Sequence, residues 1–319
     1  MNMKKYLLAI VLFCALSAAA LAEGCAIGYR FADAGEAAAL LLSNRAYYEG
    51  MNQEDLNFRV QKQGATLDEL ESLVTQSTRD FTEAEKSAID EGMAEIMDIC
   101  RQRGYTLPEL DGIVFAKTTM AEESGAAAYT HGTQIYLGER LLNRGLSQES
   151  DSQALFRETL AHELFHCLTR SHPEFRAAMY GILGFAVAGK DYEFSSEISD
   201  RIIANPDVEH HDAFASFEIG GERLDCVVVF LSGQPFKNPG DSFFDEMVTG
   251  LVPVDDLSKL YTSDDAANFR DVFGWNTDYV IDPEETMADN FAFAVVYGLE
   301  GREYKTPEII KRIDEILRH

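Results

Sequence analysis

Positive charge is scarce in this chain of 319 residues: 27 Lys and Arg stand against 54 Asp and Glu, a formal net charge of −27. So acidic a surface is repelled by nucleic-acid phosphates and by anionic membrane surfaces, and nucleic acid is excluded as a partner. The acidity does not itself choose a partner, because a saline or extracellular setting accounts for it as well as a cationic substrate does. Long apolar runs are also missing. The one candidate, residues 6–16, is too short for a bilayer, so no stable membrane span is expected. No internal repeat, low-complexity tract or phosphate-cradling glycine loop is present. Residues 255–278 are acidic but lack the spaced oxygen ligands and glycine of an EF-hand, and read as a polar surface excursion. The hydrophobic fraction of 46% and charged fraction of 25% are those of a globular protein with ample core.

The N-terminus reads as an address. Lys4 and Lys5 precede the apolar run, and Ala20 and Ala22 supply the small residues a signal peptidase reads, so residues 1–22 are expected to be a signal peptide cleaved before Glu23. The protein is then exported, periplasmic or secreted. Lipid anchoring at Cys25 is the rival, disfavoured because charged Glu23 sits where a lipobox wants a small residue. Cysteines are few. Cys25, Cys100, Cys167 and Cys226 outlast the signal segment and permit two disulfides in three pairings, while Cys167 is either a disulfide brace or a buried thiol.

Local patterns predict a helical N-terminal region, 23–105, and a second domain of mixed texture, 106–319. Residues 35–103 look helical throughout. Thr66-Leu67-Asp68-Glu69 and Thr82-Glu83-Ala84-Glu85 have the form of helix-starting capping boxes, and Gly104 ends the second helix. After Pro108 a strand is expected at 112–116 and a hairpin at 126–137, turning at His131-Gly132. Asp151 or Ser152 caps a long helix that His172-Pro173 breaks, and a further helical piece follows at 174–185. Asn205-Pro206-Asp207 is a turn, 213–231 a hairpin through Gly220-Gly221, and 285–299 and 306–317 are the closing helices.

The chemistry is concentrated in His162-Glu163-Leu164-Phe165-His166. On a helix, positions i and i+4 share a face, so both imidazoles can hold one cation, with Glu163 beside them to act on a water. Zinc in a catalytic site takes three protein ligands and keeps a fourth place open. The third is expected at Glu285, with Asp289 four residues on to accept the free ring N–H of a ligating histidine. Glu284 competes for that role but has Ala288, not a carboxylate, at the same spacing.

His-Glu-x-x-His followed at a distance by Glu-x-x-x-Asp on a second helix resembles the signature of the gluzincin metallopeptidases, the thermolysin-like clan. The stretches 159–176 and 283–293 also look similar to exported bacterial proteins of unassigned substrate. The resemblance implies an α+β, zincin-like fold, mostly helical, with a small mixed sheet over the active-site helix. It implies Zn2+ on His162, His166 and Glu285, Glu163 as general base, Asp289 behind a histidine, and a peptide or protein substrate paired to an edge strand. Because related enzymes place a tyrosine upstream of the third ligand, Tyr279 is expected to steady the oxyanion, with His210 and His211 as second choices. A metzincin is excluded, since after His166 the next histidine, His172, comes too soon. The alternatives are a zinc-binding scaffold of the same fold without activity and a metal-free structural protein. The oligomeric state is not readable.

Overall fold

The computed structural model describes residues 27–245 and 247–319; the expected signal peptide, 1–22, and Cys25 lie outside them. Two five-stranded sheets combine with helices in an α+β architecture. The first sheet comprises β1 (Ile27–Phe31), β2 (Thr78–Arg79), β3 (Leu110–Thr118), β4 (Ala128–His131) and β5 (Gln134–Gly138). Its order is β1-β3-β5-β4, with β2 against β3; β1, β3 and β5 run parallel, and β4 is an antiparallel edge. Strands β1 and β2 fall in the region expected to be helical alone. Ile27, Tyr29 and Phe31 face the core, where Tyr29 meets Phe115 edge-on at 5.4 Å, but three alternate apolar residues are too short a signal to read. The hairpin turns at Gly132-Thr133, one residue later than expected, with His131 paired to Gln134 and Gly132 at φ 56. His131 is therefore a buried strand residue, packed against Tyr47 and not a turn residue; burial, then the charges of Arg170 and Arg59, pull its pKa down to about 3.

The N-terminal helices are α1 (Ala34–Ser43), α2 (Arg45–Glu49), α3 (Gln53–Val60), α4 (Leu67–Ser77) and α5 (Glu83–Arg103). Thr66 with Glu69 and Thr82 with Glu85 close the two expected capping boxes, and Asn52 with Asp55 closes another before α3. Then come α6 (Glu139–Gly145), α7 (Ser150–Ser171), α8 (Pro173–Ile182) and α9 (Ser196–Ser199). Helix α7 starts after Glu149 without a side-chain cap, just ahead of Asp151 and Ser152. It is packed so closely by α5 that a Cβ on Gly92 would lie 2.7 Å from Leu160 Cδ1.

The second sheet is antiparallel, in order β10-β9-β8-β7-β6. Its strands are β6 (Ala186–Val187), β7 (Ala213–Ile219), β8 (Glu222–Ser232), β9 (Met247–Pro253) and β10 (Tyr261–Thr262). Helices α10 (Phe269–Phe273), α11 (Pro283–Val296) and α12 (Pro307–Leu317) finish the chain. Residues 255–278 are thus more than a polar excursion: Phe269 and Phe273 are buried against Phe217. Among the described residues Cys167 and Cys226 are buried thiols, and neither braces α7 in a disulfide. Among the described residues no helix is long and apolar enough to cross a membrane.

A buried ion cluster joins α3 to the segment before the functional site. Arg59, fully buried, pairs with Asp55 at 2.9 Å and Glu123 at 2.8 Å and donates to the Ala204 carbonyl at 2.6 Å. Desolvation pushes Glu123 up to about 7 in spite of Arg59. Removing the cation strands two buried acids, so Arg59→Met should cost about 3–5 kcal/mol in urea unfolding; a loss below about 1 kcal/mol, the scale of a surface pair, would contradict the assignment.

Candidate metal centre

Helix α7 buries Leu160, Ala161, Leu164, Phe165 and Leu168, which leaves His162 and His166 one turn apart with their rings edge-on, centroids 4.8 Å from each other. They face α11. That helix begins with Asp282 accepting the Glu284 N–H at 2.8 Å and Pro283 in the first turn. Its first turn therefore carries Glu284 and Glu285 where the positive end of the helix dipole favours carboxylates.

Adjacent residues on a helix point about 100° apart, so the two glutamates take different positions: Glu285 in front of both imidazoles and Glu284 behind His166. Glu285 Oε2 lies 3.1 Å from His162 Nε2 and 3.6 Å from His166 Nε2. A tetrahedral cation with bonds near 2.0–2.2 Å separates its donors by about 3.3 Å, so these spacings match. Glu284 Oε1 lies 2.9 Å from His166 Nδ1 and accepts from the Thr169 hydroxyl at 2.6 Å, while its Oε2 accepts from Tyr180 at 2.6 Å. Asp289 Oδ1 lies 2.9 Å from His162 Nδ1, and its other oxygen accepts from Thr277. Each ring is thus held from behind by a carboxylate with its Nε2 turned toward Glu285, an arrangement that fixes tautomer and orientation.

His166 Nε2 is buried and, among the described residues, has no hydrogen-bond partner. An orphaned buried ring nitrogen costs about 1–3 kcal/mol, and a cation shared with His162 and Glu285 removes that cost. The three donor atoms lie within 4.8 Å of one another, and the donor set of two imidazoles and a carboxylate fits a divalent transition metal. The charges agree. Burial alone would lower the His162 pKa, but hydrogen bonds to Asp289 and Glu285 carry it well above the imidazole range. Burial would raise Glu285, but His162 and His166 hold it at about 2. Glu284 is likewise lowered by His166, against its own burial.

Glu163 is buried beside this trio, accepting from the Thr130 hydroxyl at 2.7 Å. Asp207 stands next to it: Oδ1 accepts the Thr130 backbone N–H at 2.7 Å and lies 3.8 Å from His166 Nε2. Burial, then the charges of Glu163 and Glu285, raises the Asp207 pKa well above the usual carboxylate range. Glu163, His166 and Asp207 form a second trio within 4.8 Å, sharing His166 with the first. The Asn205 amide donates to Glu285 Oε1, and the Tyr279 hydroxyl lies 3.4 Å from the same atom. Burial, then the Glu285 charge, keeps Tyr279 protonated and able to donate. His162, Glu163, Asp207, Tyr279, Glu285 and Asp289 all line one cleft of about 560 Å³, with Ala128 of β4 and Arg140 on its walls.

His210 and His211 do not enter it. His210 is exposed and paired with Asp191 at 3.1 Å, and the His211 ring packs against Phe194. His172 is bonded to the Glu109 carbonyl at 2.8 Å. The sequence reading missed Glu284 as the anchor of His166, and Thr130, Asn205 and Asp207 altogether. The signal for Glu284 was available in the 100° offset from Glu285; the other three carry no spacing that marks them. No protein-family model, curated protein or solved structure matches the chain.

Proposed function

We propose that this is an exported zinc metallopeptidase of zincin-like architecture that hydrolyses peptide bonds. The observation that carries the reading is the convergence of His162 Nε2, the unpartnered His166 Nε2 and Glu285 Oε2 at the wall of a cleft that also holds the buried Glu163. The likeness of these residues to the gluzincin signature supports it, as does the position of β4 as an edge strand on the same cleft. Bound to the two imidazoles and Glu285, zinc would acidify a water and polarise the scissile carbonyl. Glu163, oriented by Thr130, would accept a proton from the attacking water and return it to the departing amine. Tyr279 donates its hydroxyl hydrogen to the charge that develops on the carbonyl oxygen. Export rests on the N-terminal segment.

The second reading is an inactive zinc-binding scaffold. A structural zinc site closes its fourth position and needs no base, whereas Glu163 is held in place beside the donors. Zinc quantification on the native protein, together with cleavage of a broad peptide library, separates the readings. About one zinc per chain with peptide cleavage is expected. Zinc without cleavage of any peptide favours the scaffold, and a native protein that stays metal-free after dialysis against zinc eliminates both.

A further inference from the structure

The outer edge of β4 is open at one end and walled at the other. Strand residues present their backbone to the same side at every second position. The inward side of β4 is marked by Ala127, whose carbonyl takes the Gly138 N–H at 3.1 Å. The outward positions are Ala128 and Thr130, with Gly132 just beyond. Thr130 N–H is taken by Asp207 at 2.7 Å and Gly132 N–H by Glu209 at 2.8 Å. Ala128 faces the cleft, which continues past it to Ser124. A peptide can therefore pair with the edge at Ala128 and leave toward Ser124, but it cannot run past Thr130.

The wall is fixed in place. Asp55 accepts the Ala204 N–H at 2.9 Å, Arg59 holds the Ala204 carbonyl, and Arg170 binds the Pro206 carbonyl at 3.0 Å and Glu209 at 3.1 Å. Its cleft-facing member is Asp207, an acid with one oxygen committed to the Thr130 N–H and the other left for a ligand. Asp207 shares this corner with the acids Glu163 and Glu285, so an ammonium placed there offsets their charge whereas a terminal carboxylate adds to it. In a peptide the α-nitrogen is only about 2.5 Å from the first carbonyl carbon, so whatever holds the ammonium must adjoin the reacting centre. Asp207 does, at 3.8 Å from His166 Nε2.

We propose that the site is that of an exopeptidase acting at free amino termini, with Asp207 receiving the α-ammonium and the chain running antiparallel to β4 past Ala128. This rests on the zinc peptidase reading and names its substrate class. The oxygen of water bonds to the first carbonyl carbon and the C–N bond breaks. The shortened peptide leaves as an amine carrying the proton that Glu163 removed, and one amino acid is released.

The test uses zinc-loaded Glu163→Gln protein, which binds without turning over, and titrates it calorimetrically with trialanine and N-acetyl-trialanine. The free-amine peptide should bind about tenfold more tightly, the scale of one charge-assisted hydrogen bond, and Asp207→Asn should abolish the difference without loss of zinc. Wild-type protein should remove single residues from the amino end of short peptides and spare their acetylated forms. Equal binding of the two peptides, binding of neither by zinc-loaded protein, or internal cuts in acetylated peptides would each overturn the inference while leaving the zinc site standing. A protein that takes up no zinc would remove the underlying reading as well.

Discussion

Glu163→Gln is expected to keep its zinc and lose peptide hydrolysis, with kcat down by about 10³-fold. The substitution is isosteric, and the amide oxygen still accepts from the Thr130 hydroxyl that Glu163 Oε2 now engages at 2.7 Å. Cleft shape and stability should therefore hardly change, and only the capacity to take a proton is removed. The trio His162, His166 and Glu285 is untouched, so zinc per chain should match the wild type. Steady-state kinetics on a cleaved peptide, with metal analysis of the same sample, make the comparison. Retention of more than about a tenth of the wild-type rate, far above what the loss of a general base allows, would move the base elsewhere, and Asp207 would be the first place to look.

The second large effect is on the metal. Glu285→Ala removes one of three donors and should weaken zinc binding by more than about 10³-fold, whereas Glu284→Ala and Asp289→Ala each loosen one imidazole from behind and should cost about 10–100-fold. Competition with a chelating dye ranks them. Equal effects at 284 and 285 would mean that the register of α11 is misassigned.

The metal-free protein provides a check through pH. Glu285 is held at about 2, below its ordinary value of 4.5, so it binds fewer protons folded than unfolded. Its contribution is present above pH 4.5 and is lost as pH falls toward 2. His162 has the opposite sign: raised above its ordinary 6.5, it stabilises the fold below that pH, and this is lost as pH rises through its raised value. In EDTA, Tm should therefore fall on the acid side in wild type and fall less steeply in Glu285→Ala. An unchanged acid limb would show that the His162–Glu285 contact does not form in the metal-free protein.

Helix starts, helix stops and the apolar face of α7 were legible in the chain because each is a local property. A capping box spans four residues, and the i, i+4 spacing that aligns His162 with His166, or Glu285 with Asp289, follows from the helical repeat alone. The strands were less legible. Short β1 and β2 hold their places through pairing with β3, a partner some 40 to 80 residues away. The Phe269 and Phe273 side chains look polar in context until the second sheet supplies Phe217 to cover them.

The sequence by itself therefore determined the composition of the candidate centre: which helices carry imidazole and carboxylate, and which faces those groups share. Only the tertiary structure decided how the groups divide the work. Packing of α11 on α7 sends Glu285 to both Nε2 atoms and Glu284 to the back of His166, a choice made by the rotation of one helix against another over more than 100 residues of intervening chain. The segment that brings Asn205 and Asp207 to the cleft is placed by Arg59 and Asp55 of an N-terminal helix. A short loop of polar residues has no period of its own, so its position is set by the groups that hold it, and these are remote in the chain.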